Sequence, residues 1–342
     1  MAAQDTPQMR VYQIDAPGPI ANMKLVTVPR PSETLEKDHI LVKVIVAGIN
    51  PADYKLPELG ILSKAKLSYP ICPGMDFAGQ VVAVGEGVLD IKVGDNVLGR
   101  MDPLKWAGSL SEYVVSPYDG VATLPKNVSL DQAGAAGTAA LTAYQTIAPY
   151  AKAGDKVFIN GGSGGTGTYG IQIAKAIGCH VTVSCSTSKA ALCKELGADE
   201  IIDYKTTNVT AKLREIGPVF SVIVDNVGDS PPDLFSASDA ILLPSGHYKF
   251  VGGHFSFQMA THLASGLFLP KFLGGVSHKF ETFMTKNSHE DLAQLAKWMG
   301  EGKVKTVVDS AFGFEQVYEA FEKLKVGSAA GKIVIHVQEN KA

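Results

Sequence analysis

The chain has 342 residues, of which 46% are hydrophobic and 19% are charged, so it is long enough to bury two globular cores. Its formal net charge of -3 provides no basic surface for nucleic acid. The segment MAAQDTPQMR lacks the apolar stretch of a signal peptide, and no run approaches the ~18 apolar residues of a membrane span. We therefore expect a cytoplasmic protein of two domains, with small molecules or protein chains as partners.

The cysteines and histidines do not form a recognisable metal motif. Cys72, Cys179, Cys185 and Cys193 follow neither the spacing of a disulfide framework nor that of paired Cys-x-x-Cys zinc ligands. None of the eight histidines stands in a His-Glu-x-x-His arrangement. The sequence therefore predicts packing roles for the cysteines and no metal site.

Two kinds of apolar pattern follow each other along the chain. From Met9 to Pro125, short alternating runs such as RVYQI, HILVKVIVAGI and FAGQVVAVG are separated by Gly, Pro and Asp. This pattern is typical of an antiparallel, barrel-like β domain. After Asp131, the β-rich runs KVFIN, HVTVSC, EIIDY and FSVIVDNV alternate with longer segments of helical spacing. That alternation predicts a parallel sheet built from βαβ units.

A glycine-rich segment follows the first strand of this predicted sheet. The strand Lys156–Asn160 leads into GGSGGTG, and the helical run TYGIQIAKAIG comes next. Glycine in this context permits a tight turn and lets backbone N–H groups approach a pyrophosphate at the helix N-terminus. We therefore predict a dinucleotide-binding loop formed by Gly162, Ser163, Gly164, Gly165, Thr166 and Gly167.

The next strand, HVTVSC, does not end on an acidic residue. In an NAD-binding sheet a carboxylate normally stands there and accepts hydrogen bonds from the ribose hydroxyls. Here Ser186, Thr187, Ser188 and Lys189 follow, and hydroxyls with an ammonium suit a 2′-phosphate better. The sequence therefore favours NADPH over NADH. Ser186 to Ser188 can in addition cap the helix that begins near Lys189.

Several segments together resemble the medium-chain dehydrogenase/reductase superfamily over nearly the whole chain. They are PGMDFAG at residues 73–79, the later VVAVGEGVLDIKVGDNVLG, and the glycine loop. The resemblance implies an α/β fold with two domains. A GroES-like β-barrel catalytic domain is expected at residues 1–129 and 286–342, and a Rossmann-fold parallel-sheet cofactor domain at residues 130–285.

Zinc alcohol dehydrogenases of that superfamily differ from this chain at their metal-ligand positions. They carry a cysteine where this chain has Asn50 and a histidine where it has Met75. The four-cysteine lobe of those enzymes is also missing, because the segment from Leu98 to Glu112 is short and contains no cysteine. Neither Asn nor Met is a usual zinc ligand, so the resemblance implies a reaction without metal.

The segments NPADYK, GADEIIDYKT, EGKVKTVVDS and AAGKIVIHV are similar to the quinone oxidoreductase and enoyl reductase branch, including its chloroplast-envelope members. This implies an NADPH-dependent reductase that transfers hydride to the conjugated C=C of an α,β-unsaturated carbonyl or to a quinone. It also implies that Lys189 and Tyr204 grip the 2′-phosphate, although Tyr204 can equally be a packing residue. The alternatives are a trans-acting enoyl reductase of a polyketide or fatty-acid pathway and a non-catalytic, crystallin-like NADPH-binding protein.

A reduction without metal needs hydrogen-bond donors where negative charge develops on the substrate oxygen. Asn50 and Lys55 in NPADYK and Thr138 in GTAALTAY are the candidate catalytic residues. A solvated surface lysine remains the alternative for Lys55, a plain helix residue for Thr138, and a structural residue for Asn50.

The remaining candidates follow later strands of the predicted parallel sheet, whose carboxyl ends bind the ligand. We assign Asn226, Val251 and Gly252 to the nicotinamide ribose and carboxamide, with turn formation as the alternative. Lys332 in AAGKIV is assigned to the cofactor phosphates, with a surface lysine as the alternative. The apolar run at residues 253–275 predicts an acyl pocket, a dimer surface or plain core. Because members of the family usually dimerise, we expect a homodimer.

Overall fold

The computed structural model describes residues 7–105, 107–228, 230–252, 276 and 278–339. The apolar run at residues 253–275 lies outside these described residues. By its internal contacts the chain divides into unit 1, Met1–Leu141 with Lys286–Gly302 and Thr306–Ala342, and unit 2, Thr142–Thr285 with Lys303–Lys305. In the described ranges, no helix has the length and apolar character needed to cross a membrane.

The described part of the chain contains fifteen strands and nine α-helices. The strands are β1 (Gln8–Gln13), β2 (Lys24–Pro29), β3 (His39–Ile49), β4 (Asp76–Val84), β5 (Asn96–Arg100), β6 (Tyr113–Pro117), β7 (Val121–Thr123), β8 (Lys156–Asn160), β9 (His180–Cys185), β10 (Glu200–Asp203), β11 (Phe220–Asp225), β12 (Leu242–Phe250), β13 (Lys279–Thr282), β14 (Val308–Gly313) and β15 (Lys332–His336). The α-helices are α1 (Pro51–Glu58), α2 (Leu130–Gly134), α3 (Gly137–Ile147), α4 (Gly165–Ile177), α5 (Ala190–Glu195), α6 (Val209–Ile216), α7 (Leu234–Ala237), α8 (His289–Gly300) and α9 (Val317–Val326).

Unit 1 is organised around a seven-stranded sheet in the order β14-β15-β3-β4-β5-β7, with β6 paired to β3. Every pairing in it is antiparallel except that of β14 with β15. The long strand β3 is buried along most of its length, and its apolar side chains pack with residues from β4, β5 and β15. This sheet confirms the predicted, largely antiparallel β domain. It also brings β15, from the end of the chain, beside β3.

Unit 2 contains a six-stranded parallel sheet in the order β10-β9-β8-β11-β12-β13, which confirms the predicted βαβ architecture. The strand order reverses between β8 and β11, and open parallel sheets bind ligands at the carboxyl ends of their strands at such a point. The register pairs Asp225 with Asn160 and with Phe250, so β8, β11 and β12 end at the same level. The residues that follow these three strands therefore lie along one edge of the sheet.

Candidate active site

The predicted dinucleotide loop connects β8 to α4. Gly161 has a φ of 79°, a conformation that favours glycine, and its N–H donates to the Ser184 hydroxyl at 2.9 Å. A Cβ on Gly167 would lie 2.2 Å from the Gly161 carbonyl oxygen, so glycine is required for the helix to pack on the loop. The first N–H groups of α4 lack acceptors within the helix and bind anions readily. Of the predicted loop residues, Gly164, Gly165 and Thr166 are half-buried, and Gly162, Ser163 and Gly167 are buried.

The assignment of a 2′-phosphate site rests on Ser186, Lys189 and Tyr204, which follow two neighbouring strands. Ser186 follows β9 and precedes the 3₁₀ turn Thr187–Lys189. Tyr204 follows β10, and its N–H donates to the Cys185 carbonyl at 3.1 Å. Ser186 and Lys189 are half-buried, and Tyr204 is 49% exposed. The structure therefore brings Ser186 and Tyr204 together at one edge, and Tyr204 leaves half of its surface in solvent. Ser186 makes no side-chain capping bond.

Asp203, the last residue of β10, is a carboxylate at this edge that the sequence analysis missed. It accepts hydrogen bonds from the Thr187 hydroxyl at 2.5 Å and from the Lys205 N–H at 2.9 Å, and these bonds lower its pKa. A negative charge here would repel a phosphate unless cations compensate for it. Lys189 and Lys205 are the nearby ammonium groups in the sequence. The sequence could have identified Asp203, because it stands directly before Tyr204, a residue already assigned to the 2′-phosphate.

The predicted nicotinamide-binding residues converge on the last residue of β11. The N–H groups of Val251 and Gly252 donate to the Asp225 carbonyl at 2.9 and 3.3 Å. Asn226 donates from Nδ2 to the Asn160 carbonyl at 3.2 Å. Its Oδ1 is buried and has no hydrogen-bond partner among the described residues. A buried acceptor of this kind requires a donor from a ligand or water, so this edge fits a carboxamide or a ribose hydroxyl.

In unit 1, polar groups gather around Asp76, a fully buried carboxylate at the start of β4. Its Oδ2 accepts from Asn50 Nδ2 at 3.0 Å and from the Lys332 ammonium at 3.3 Å. Its Oδ1 accepts from the Thr138 backbone N–H at 2.6 Å. The structure therefore brings Asn50, Thr138 and Lys332 to a single carboxylate, a partner that the sequence analysis did not identify.

Lys332, which the sequence assigned to the cofactor phosphates with a surface lysine as the alternative, is not a surface lysine. Lys332 is only 4% exposed, because β15 pairs with β3 and places it beside Asn50. Its ammonium donates to the Ile49 carbonyl at 3.1 Å, to Asn50 Oδ1 at 2.5 Å and to Asp76. An ammonium has three N–H donors, and these three oxygens engage them. No donor of Lys332 is left for a phosphate in this structure.

The other two predicted catalytic residues lie on helices, and both residues belong to unit 1. Thr138 stands in the first turn of α3 and is half-buried, with its hydroxyl 3.8 Å from the Met75 sulfur. Lys55 lies in the last turn of α1 and is also half-buried. Helix α1 begins after Asn50, whose backbone N–H is capped by the Asp53 carboxylate at 2.7 Å. The cap fixes the direction in which α1 leaves β3.

Asp53 is a second buried carboxylate close to these residues. It lines a cavity with Leu56, Leu67 and Met75. Burial raises the pKa of Asp53 to about 7, the charge of Asp76 raises it too, and the hydrogen bond from the Asn50 N–H acts in the opposite direction. Asp53 therefore carries a proton for part of the time at neutral pH. Its position three residues after Asn50 could have identified it as a capping residue.

Comparisons with known proteins agree with this architecture. Two family models match: "Alcohol dehydrogenase GroES-like domain" at residues 36–126 and "Zinc-binding dehydrogenase" at residues 196–335. The chain is 41% identical to the trans-enoyl reductase pgmF of Aspergillus terreus, with 99% of each chain covered. It is 32% identical to the 2-methylene-furan-3-one reductase of Solanum lycopersicum, covering 96% of this chain and 79% of that one. The structure of the quinone oxidoreductase from Coxiella burnetii is 29% identical, with a TM-score of 0.82 and coverage of 97% and 100%. These matches confirm the predicted α/β fold class.

The zinc named in one of these descriptions does not fit the side chains of Asn50 and Met75. Zinc is held by thiolate, imidazole and carboxylate ligands, whereas Asn50 offers an amide whose oxygen already accepts from the Lys332 ammonium. Met75 offers a buried thioether. In the part of the chain that the structure describes, no group of three or more His, Cys, Asp or Glu could hold a metal ion. The oxygen atoms around Asn50 fit an ammonium instead.

The buried carboxyl of Asp53 predicts a pH dependence of stability. Its pKa rises from the ordinary 3.8 to about 7 on folding, so the folded chain binds this proton more tightly than the unfolded chain does. Wild-type stability should therefore fall as the pH rises from about 4 to about 7, by at most about 4 kcal/mol. Asp53→Asn keeps an oxygen for the Asn50 N–H and removes the titration. Urea unfolding should show a smaller pH dependence in the variant and greater stability above pH 7. Parallel pH curves for the two proteins would contradict this assignment.

Proposed function

We propose, since this chain belongs to the medium-chain dehydrogenase/reductase superfamily, that it is an NADPH-dependent reductase of a conjugated C=C bond or a quinone and that it works without metal. The observation that carries this proposal is the set of contacts at Asn50. At the position where zinc enzymes of the superfamily place a ligand, the side chain binds an ammonium and a carboxylate. A simple ketone would lack a polarising metal there, whereas a conjugated acceptor can delocalise the incoming charge.

We assign substrate binding and cofactor binding to the two predicted domains. The residues that bind the substrate belong to residues 1–129 and 286–342, and those that bind the cofactor belong to residues 130–285. Thr138 falls in the second range by sequence but in unit 1 by its contacts. When bound, the nicotinamide supplies a hydride to the substrate. The residues proposed to hold the cofactor are the loop at 162–167 for the pyrophosphate, Ser186, Lys189 and Tyr204 for the 2′-phosphate, and Asn226, Val251 and Gly252 for the nicotinamide end.

Thr138 and Lys55 are the proposed donors to the substrate. Reduction of an α,β-unsaturated carbonyl at its β-carbon places negative charge on the carbonyl oxygen, and a hydroxyl or an ammonium can stabilise that charge. The same groups can deliver the proton that the α-carbon needs. Asp76 binds the Thr138 N–H, so it fixes the start of the helix that carries the hydroxyl.

For Asn50 we propose a positioning role in place of the predicted catalytic one. Its Oδ1 accepts from Lys332, and its Nδ2, which has two N–H donors, donates to Asp76 at 3.0 Å and to the Gly48 carbonyl at 3.5 Å. A bond from this amide to the substrate would break one of these buried contacts, which costs free energy. Asn50 therefore supports Asp76, and through it Thr138.

A second candidate function is a trans-acting enoyl reductase that reduces an enoyl thioester on a carrier. The relative that is 41% identical over 99% of both chains is named a trans-enoyl reductase, and this observation favours the candidate. Comparing an enoyl thioester with the matching free enone distinguishes the two. A much higher kcat/KM for the thioester would favour the trans-acting role. A homodimer, expected from the family, also remains a prediction.

The 2′-phosphate assignment predicts a selective loss of affinity in Lys189→Ala. A charge-assisted hydrogen bond to a phosphate contributes about 1.5–3 kcal/mol, so the Kd for NADPH should rise about 10- to 100-fold. The Kd for NADH, which has no 2′-phosphate, should barely change. Calorimetric titration of both cofactors measures the two constants.

Lys194→Ala provides the matched control, because Lys194 also belongs to the α5 region and its ammonium bonds the Asp199 carbonyl at 3.3 Å. This variant removes the same charge and should bind both cofactors like the wild type. Equal losses of NADPH and NADH affinity in Lys189→Ala would mean that Lys189 is structural and would contradict the assignment.

The donor assignment predicts a loss of rate without a loss of cofactor binding. Removing a donor that acts mainly in the transition state lowers the rate about 100-fold, so Thr138→Val or Lys55→Ser should reduce kcat for an enone by about that factor. The Kd for NADPH should stay at the wild-type value. Lys64→Ser is the control, since Lys64 is an exposed lysine of the turn that follows α1. Wild-type kcat in both donor variants would rule out these two residues.

A further inference from the structure

Asp225, the last residue of β11, is a buried carboxylate that neither the sequence analysis nor the proposed chemistry uses. It is 1% exposed. Oδ1 accepts from Asn160 Nδ2 at 2.8 Å, from the Gly228 N–H at 2.9 Å and from the Val227 N–H at 3.2 Å. Oδ2 accepts from the Tyr248 hydroxyl at 2.7 Å. Four neutral donors from three segments thus replace the water that this carboxylate loses on folding.

These bonds fix the turn that follows β11. Both N–H groups of the Val227–Gly228 turn point at the carboxylate, so the backbone curls around the side chain that precedes it. Asn226 lies inside this turn, and its own N–H and Nδ2 both donate to the Asn160 carbonyl at 3.3 and 3.2 Å. Asn226 Oδ1 is left buried without a partner among the described residues. The turn therefore sets the position of an acceptor that is available to a ligand.

The backbone of Asp225 fixes the neighbouring strand end as well. Its carbonyl accepts from Val251 and Gly252, and a Cβ on Gly252 would lie 3.0 Å from the Asn226 carbonyl oxygen. Tyr248, two residues before the end of β12, holds the same strand to the carboxylate through its hydroxyl. Burial raises the pKa of Tyr248 far above 10, and the negative charge of Asp225 raises it too, so the tyrosine remains a donor at neutral pH.

On the other side, Asn160 links Asp225 to the start of the glycine loop. Asn160 Oδ1 accepts from the Ser184 hydroxyl at 2.6 Å, and that hydroxyl accepts from the Gly161 N–H. Asn160 is also held by the Ser230 carbonyl, which accepts from Nδ2 at 2.8 Å. The loop thus keeps contacts that do not depend on Asp225. The turn that carries Asn226 depends on the Asp225 carboxylate through the Val227 and Gly228 N–H groups. Val251–Gly252 depend on the backbone carbonyl of Asp225, and their strand depends on its carboxylate through Tyr248.

We propose that Asp225 is a positioning residue for the nicotinamide half of the cofactor, which it serves by holding Asn226 and the Val251–Gly252 backbone in place through its carboxylate and carbonyl. The inference rests on the proposed assignment of these residues to the nicotinamide end. It adds to that assignment a residue that does not touch the cofactor: Asp225 is buried and acts only through its neighbours. Replacing the carboxylate should therefore harm the binding of a whole dinucleotide more than the binding of its adenosine half.

Asp225→Asn and Tyr248→Phe test this inference. In Asp225→Asn an amide nitrogen replaces one acceptor, so at least one of the four donors loses its partner, and we expect the Kd for NADPH to rise about 10- to 100-fold. Tyr248→Phe removes one donor and keeps the carboxylate, so its effect should be smaller and in the same direction. The adenosine half alone, offered as 2′,5′-ADP and as 5′-ADP, should bind both variants nearly as it binds the wild type. Titrations are made at a temperature at which circular dichroism shows each variant folded.

Ser238→Ala is the matched control for lost stability. Ser238 is fully buried in unit 2, its hydroxyl lies 2.6 Å from His278 Nε2, and it precedes β12 instead of following a strand. This variant should lose stability and keep its affinity for NADPH. If Asp225→Asn does not fold, the inference is tested with Tyr248→Phe alone, by comparing its Kd for NADPH with its Kd for the adenosine half.

The outcomes separate this inference from the proposed function. A wild-type protein that binds neither NADPH nor NADH would overturn the proposed function. If the wild type binds NADPH, then unchanged NADPH affinity in the folded variants would overturn the positioning role alone. Equal losses for NADPH and for the adenosine half would also overturn it, because a general loosening of unit 2 would affect both ligands alike.

Discussion

Burying a carboxylate costs several kcal/mol unless protein donors replace the water that it loses. Asp76 in unit 1 and Asp225 in unit 2 are 0% and 1% exposed, so each must accept hydrogen bonds from the segments around it. Asp76 obtains an ammonium, an amide and a backbone N–H, and Asp225 obtains two side chains and two backbone N–H groups. In unit 1 this requirement holds Asn50, Thr138 and Lys332 in place, and in unit 2 it holds the turn that carries Asn226.

The two carboxylates differ in the charge of their partners, and this difference bears on the chemistry. The Lys332 ammonium forms an ion pair with Asp76 Oδ2 at 3.3 Å. The polar group around Asn50 therefore already contains a positive charge from the protein. Asp225 is surrounded by neutral donors. Burial raises the pKa of Asp225, and the hydrogen bonds from these donors lower it by less. An uncharged or weakly charged ligand end, such as a carboxamide or a ribose, suits the residues that Asp225 orders. An anion suits the glycine loop at the N-terminus of α4.

The parts of this arrangement that could be predicted from the sequence are contiguous in the chain. The glycine loop lies between a strand and a helix, and the alternation of β-rich and helical runs identified the parallel sheet, because both patterns are local. Lys332 and Asn50 are 282 positions apart, and their contact depends on the pairing of β15 with β3, which no local pattern indicates. Asp225 stands in FSVIVDNV as an ordinary strand end, and its burial became apparent only once the strand order placed Asn160 and Tyr248 beside it.

Isotope labelling shows whether the hydride is added to a conjugated double bond, as proposed for this chain. An enone is incubated with the protein and with NADPH that carries deuterium at the transferable position of nicotinamide C4, and the product is analysed by NMR. We expect a saturated carbonyl compound with deuterium at its β-carbon, since conjugation carries the charge to the oxygen. An allylic alcohol with deuterium on the former carbonyl carbon would show that the hydride adds to the carbonyl group instead.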